Sequence, residues 1–182
     1  MKLQHMLALI LVGICAGCSA GTDTKAADAK AAEAKAAEMK AQDEADIKAL
    51  EARFVAAFKA KDVTAIMANY VADQSLIVFD LTPPRQYTGA DAYTKDWQGY
   101  LTAFAGPWDM TMSDLDITVG GDVAYGHNVQ HGVFTDKAGK KLELTVRVTD
   151  GYKKVNGKWL ISHEHVSIPV DMDKMKPELN SK

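Results

Sequence analysis

The dipeptide Asn156-Gly157 sits between two runs that alternate apolar and polar residues, 142–155 and 158–168. Both central residues of a type I′ turn need positive φ, so Asn-Gly in this setting predicts a two-residue hairpin. A turn that short fixes the register of every later pair. Val155 then faces Lys158, Tyr152 faces Ile161, Asp150 faces His163, and Val148 faces His165. One side of the hairpin carries Leu142, Leu144, Val146, Val148, Asp150, Tyr152, Trp159, Ile161 and His163; the other carries Glu143, Thr145, Arg147, Thr149, Ser162 and Glu164. The first is the expected buried face.

Two earlier runs, 108–119 and 123–134, are separated by Gly120-Gly121 and alternate in the same way, which extends the hairpin to an antiparallel meander. Matching Val133 to Leu142 across the loop at 136–139 places Tyr125, His127, Val129 and His131 on the inner face. Upstream, Ile47, Leu50, Phe54 and Phe58 recur at helical spacing. Asp62 is a candidate N-cap for a second helix carrying Val63, Ile66, Met67 and Tyr70 on one face. Tyr93, Trp97, Tyr100 and Leu101 mark a third helix that Gly106-Pro107 ends, and 75–88 reads as a small irregular hairpin around Pro83-Pro84. Three helices followed by an antiparallel sheet predict an α+β domain.

The 182 residues contain two cysteines, Cys15 and Cys18, so nothing beyond Cys18 can form a disulfide and the domain depends on packing. A formal net charge of −3 leaves no basic excess to neutralise a phosphate backbone, and no nucleic-acid partner is expected. Lys2, an apolar run and a small-residue end give 1–17 the layout of a signal peptide. Its end, "ICAGCS", resembles a bacterial lipoprotein signal, with Cys15 at a position where that pattern prefers Leu. The resemblance implies lipidation of Cys18, and with Ser19 after it, an exported protein anchored at the periplasmic face of the outer membrane. From Lys25 the chain repeats as KAADA, KAAEA, KAAEM, KAQDE. That composition predicts a helical spacer over 18–44, ahead of a domain at 45–170 and a polar tail at 171–182.

An acid and histidines on an apolar face demand partners. Asp150 opposite His163, with His127 nearby, supports acid–base chemistry, a satisfied core network, or a His127-Asp150-His163 metal site, and the spacing leaves all three open. The alternation also argues against the contiguous His163-Glu164-His165 as a metal cluster, because neighbours in a strand point to opposite sides. Tyr70, Trp97, Tyr125, Val148, Tyr152 and Ile161 are the candidate apolar lining of a pocket. No phosphate-binding loop or nucleophile elbow is present in the sequence, and no cofactor is expected.

The stretch "RVTDGYKKVNGKWLISHEHVSIP" resembles the C-terminal hairpin of SnoaL-like domains, members of the nuclear transport factor 2-like superfamily that includes ketosteroid isomerase. The matching residues are Arg147-x-Thr149, Gly157-x-Trp159 and His163-x-His165-x-Ser167, and residues 46–70 fit the two opening helices. The resemblance implies a cone, with three N-terminal helices packed on a curved antiparallel sheet around a pocket, and homodimerisation through the outer sheet face. On one scaffold of this kind sit binding domains, enzymes and assembly modules. The expected function is binding of a small, partly apolar molecule by a membrane-tethered domain. The alternatives are a lyase, isomerase or hydrolase using Asp150 and His163, and an assembly module without catalysis.

Overall fold

The computed structural model describes residues 20–181. The signal peptide expected at 1–17 and the lipidation expected at Cys18 lie outside the described residues. The chain divides into two compact units at Ala37 and Glu38. In the first, residues 25–37 are helical and exposed throughout, as a repeat with nothing large to bury requires.

Helix α1 spans Ala20–Ala60, and within the second unit it acquires a buried face: Asp43, Ile47, Leu50, Glu51, Phe54, Ala57 and Phe58. These recur every three or four residues and form one stripe. Lys61, in the left-handed region at φ 58°, ends the helix. Its ammonium donates to the carbonyls of Phe104, Ala105 and Gly106. Asp62 caps the short α2, Val63–Met67, by accepting from the Ala65 N–H at 3.0 Å. Tyr70 falls beyond that helix, in a bridge to Ile161. Val71 donates to the Ile161 carbonyl and Ile161 to that of Asn69, so the chain leaves α2 by joining the sheet edge.

Strands β1 (Ile77–Phe79) and β2 (Tyr87–Thr88) form the small hairpin, and α3 covers Ala90–Ala103. The long strands are β3 (Trp108–Gly120), β4 (Val123–Thr135), β5 (Lys141–Val155) and β6 (Lys158–Ser167). Their order is β2-β1-β6-β5-β4-β3. The sheet is mixed rather than purely antiparallel, because β1 runs parallel to β6, with Ile77 beside His163 and Phe79 beside His165. After the Tyr70–Ile161 bridge the chain already travels in the direction of β6, so its next strand pairs parallel to it.

The tail is not featureless. Strands β7 (Val170–Asp171) and β8 (Lys176–Pro177) pair with each other, and the Thr145 N–H donates to the Leu179 carbonyl at 2.6 Å. That bond satisfies a donor of β5 just past Arg147, the last β5 residue that β6 pairs.

Two registers differ from those the alternation predicts. The hairpin pairs as expected from Val155–Lys158 to Tyr152–Ile161, but the next pair is Gly151–His163. Ser162 is the extra residue of a β-bulge, and its hydroxyl donates to the Gly151 carbonyl at 3.1 Å. One inserted residue exchanges the faces of everything beyond it. Glu164 and Val166 therefore turn inward, while His163 and His165 turn outward. Across the β4–β5 loop, Phe134 rather than Val133 faces Leu142. The loop spends its residues on a tight turn, in which Asp136 bonds Lys140 and its own carbonyl accepts from Gly139. The inner face of β4 is consequently Gly126, Asn128, Gln130, Gly132 and Phe134.

Between helices and sheet lies an aromatic core. Phe54, Phe58, Tyr70, Tyr93, Trp97, Trp108 and Phe134 meet mostly edge to face, from Phe58–Trp108 at 5.2 Å to Phe54–Tyr70 at 6.3 Å.

Candidate functional site

The inner faces of α1, α3 and the sheet do not close completely and leave a cavity of about 240 Å³. Helix α1 contributes Phe54 and Phe58 to its wall, and α3 contributes Tyr93, Trp97 and Tyr100. The sheet supplies Gln130, Phe134, Leu144, Val146, Val148, Glu164 and Val166, and the segment after β1 supplies Asp80, Leu81 and Thr82.

Glu164 is the central polar group. It is 4% exposed, and its two oxygens each accept a phenol hydroxyl at 2.7 Å, Oε2 from Tyr70 and Oε1 from Tyr93. Burial pushes its carboxyl up to about 7; the tyrosine hydrogen bonds oppose that rise, and the charges of Asp80 and Glu51 add to it. Both phenols are raised well above their ordinary range, chiefly by burial, and stay as donors. Asp80 is raised by burial as well, and its Oδ2 lies 3.4 Å from the Tyr93 hydroxyl.

Behind Glu164 stand two further acids. Asp150 is 1% exposed, its Oδ1 has no hydrogen-bond partner among the described residues, and burial drives it well above the carboxylate range, with Glu164 and Glu51 adding repulsion. Glu51 accepts from the Tyr152 hydroxyl at 2.6 Å and is likewise raised by burial. Asn128, two pairs along from Gly126–Asp150, is buried, and neither of its side-chain polar atoms is bonded among the described residues. The interior is thus acidic, with its carboxyls biased toward the neutral form.

This arrangement corrects several expectations. Asp150 faces Glu164 and not His163, because of the Ser162 bulge, and it lies behind the cavity rather than in its wall. His163 is on the outer face, with Nδ1 2.8 Å from the Ile77 carbonyl and its ring against Phe79. His127 is exposed on the outer face of β4, 3.8 Å from Asp116, and Tyr125 is 53% exposed on the same face. The displaced β4 register turns both away from the pocket. His127, Asp150 and His163 do not converge, and among the described residues no group of three or more His, Cys, Asp or Glu side chains is placed to hold a metal ion.

Of the expected lining, Trp97 and Val148 border the cavity. Tyr70, Tyr152 and Ile161 are core residues, the two tyrosines acting through Glu164 and Glu51. Glu164, Tyr93, Asp80, Glu51 and Gln130 were not among the expected site residues. Glu51 had a legible signal, since it shares the helical stripe of Ile47, Leu50 and Phe54. Gly151 inside an alternating strand was the available hint of a bulge.

A model of the SnoaL-like domain family matches residues 47–171. The chain belongs to the SnoaL-like domain family. Solved structures agree in fold. The SnoaL-like chain is similar to a nuclear transport factor 2-like protein of unknown function from Pseudomonas putida KT2440, at 29% identity and TM-score 0.70, over 78% of this chain and 97% of that one. A nuclear transport factor 2-like superfamily protein from Salmonella enterica serovar Typhimurium LT2 is 18% identical, with TM-score 0.61, over 69% and 90%. A candidate scytalone dehydratase from Novosphingobium aromaticivorans is also 18% identical, with TM-score 0.66, over 80% and 99%. None of the curated proteins matches this SnoaL-like chain.

Proposed function

We propose that this SnoaL-like domain binds a small, largely apolar molecule in its interior cavity, with Glu164 as the polar anchor. The observation that carries the reading is the cavity itself, an aromatic and aliphatic enclosure of about 240 Å³ into which the Glu164 carboxyl, pinned by two tyrosines, projects from the sheet. Apolar enclosure supplies affinity and a few convergent polar groups supply orientation. The volume is below the roughly 300–1,000 Å³ of pockets for drug-sized ligands, which favours a molecule of one ring or a short branched chain. The test is an NMR titration of the full chain with small aromatic compounds. Shifts confined to Trp97, Tyr100, Val146 and Val148 support the reading; shifts spread over the surface only would sink it.

A second reading, proton-transfer catalysis, is favoured by the position of Glu164 near 7, where a carboxyl both accepts and returns a proton at neutral pH. It replaces the Asp150–His163 pair, which the bulge separates. A Glu164→Gln chain that retains ligand affinity but loses all turnover would support catalysis.

The proposal includes export, lipidation at Cys18 and a tether through the Ala/Lys/Glu-rich helix; labelled palmitate entering the wild type but not Cys18→Ser is the result expected. Pairing of two copies would use the outer sheet face, where Tyr125 and Val123 are more than half exposed beside His127 and His165. Sedimentation as a monomer at tens of micromolar would contradict it.

A further inference from the structure

The chemistry of the cavity wall is one-sided. Two of its residues, Asp80 and Glu164, are acids, and none is Lys, Arg or His. Seven are aromatic and most of the others are Leu, Val or Met, so ring faces and edges share the wall with aliphatic side chains. Gln130 is 7% exposed and borders the cavity, so its amide is a further polar group in the wall. An amide of this kind brings a carbonyl acceptor. Trp97 Nε1 is enclosed and has no hydrogen-bond partner among the described residues, so what this residue presents to a ligand is its ring.

Resting on the reading of this cavity as a ligand site, we infer that the molecule it takes is an organic cation: an ammonium group on a small apolar or aromatic frame. The carboxylates of Glu164 and Asp80 and the Gln130 carbonyl meet the charge, and the aromatic rings meet the substituents.

The sign of the interior field decides among charge classes. Glu164 is faced by Glu51 from α1, Tyr70 after α2, Asp80 after β1, Tyr93 from α3, and Asp150 and Tyr152 from β5, and none of these brings a positive charge. Burial is the larger cause that raises these acids, and an anion entering here would add to the mutual repulsion that comes on top of it. A neutral ligand would leave it unchanged. A cation relieves it, and the lost hydration of its charge is offset by charge-assisted hydrogen bonds and by the ring quadrupoles. Each Glu164 oxygen already accepts one phenol hydrogen, but a carboxylate has about four lone-pair sites, so acceptor capacity remains. Binding of a cation favours the ionised form of Glu164 and so expels its proton when the pH lies below the group's range.

The full chain should be titrated calorimetrically with benzylamine, benzyl alcohol and benzoate, matched in ring and size and differing in charge. At pH 8 benzylammonium should bind at least about tenfold more tightly than benzyl alcohol, and benzoate should not bind. Lowering the pH to about 5.5 should shrink the preference for the cation without weakening the alcohol. Near pH 6.5, heats in two buffers of different ionisation enthalpy should show proton release for benzylamine alone. Glu164→Gln, which preserves the shape and can still accept from a tyrosine, should remove the preference, and Asp80→Asn should halve it or more. Equal binding of amine and alcohol overturns the cation assignment and leaves the pocket reading intact. Binding of none of the three overturns both.

Discussion

Asp150 and Glu164 face each other across β5 and β6, both turned inward and almost entirely buried, with Ser162 standing as the bulge that brings them opposite. Two carboxyls this close to each other and this far from solvent cannot both ionise cheaply. The pair therefore makes folding sensitive to pH, and it puts an acid rather than a histidine at the end of the cavity.

Stability should fall as pH rises from about 4.5 to 7. Glu164 goes from an ordinary value of 4.5 in the unfolded chain to about 7 in the folded one, so the folded state binds the proton more tightly over that window. The stabilisation is complete below the unfolded value and is lost as pH rises through the folded one, by up to about 3 kcal/mol. Asp150 and Glu51, raised in the same direction, add to the slope. Urea midpoints between pH 4.5 and 8 measure it, and Glu164→Gln should flatten the curve. A midpoint that climbs over this range would contradict the assignment.

Tyr70→Phe and Tyr93→Phe should each raise the Glu164 carboxyl further, because each removes a donor to the ionised form. Either change should also cost about 1–2 kcal/mol when the carboxylate is ionised. Carbon-detected titration of the Glu164 carboxyl reads the first effect and chemical denaturation the second. An unmoved titration would mean that the hydroxyls bond elsewhere in solution.

Deleting Ser162 should be far more damaging than replacing it. Without the extra residue the β6 face exchanges, His163 enters the core and Glu164 leaves it, so a loss of more than about 3 kcal/mol is expected. Ser162→Ala removes only the bond to the Gly151 carbonyl and should cost about 1 kcal/mol. Similar melting temperatures for the deletion and the substitution would show that the bulge does not set the face.

Removing residues 20–37 should leave the melting temperature within a degree or two, since the side chains described there, 25–37, are all exposed. Removing residues up to 44 should lower it clearly. Asp43 is 8% exposed and accepts from Lys154 and from the Trp159 indole, so the buried face of α1 begins at that residue. Asp43→Ala in the full chain is the control, expected to cost about 1–3 kcal/mol.

Much of the fold could be read without coordinates. The Asn-Gly turn, with both residues at positive φ, sets the first four pairs of the hairpin, and the stripe from Ile47 to Phe58 is the buried face of α1. The α+β class and the SnoaL-like family follow from such local signals because they are periodic, and periodicity is carried by the residues themselves.

The position of the site was not local. Whether Glu164 or His163 faces the cavity depends on one bulged residue, and whether Gln130 or His131 does depends on how many residues the loop at 136–139 consumes. Each shifts a strand by one position, and a strand's side-chain period of two turns that shift into a complete exchange of faces. The sequence determined which stretches are amphipathic and where the Asn-Gly hairpin turns, since those depend on neighbours three or four residues away at most, whereas the parallel pairing of β1 with β6 joins distant segments. Only the tertiary structure decided which acids share the interior, because Glu51, Asp80, Asp150 and Glu164 come from four separate segments, and their burial and mutual repulsion exist only once those segments are packed together.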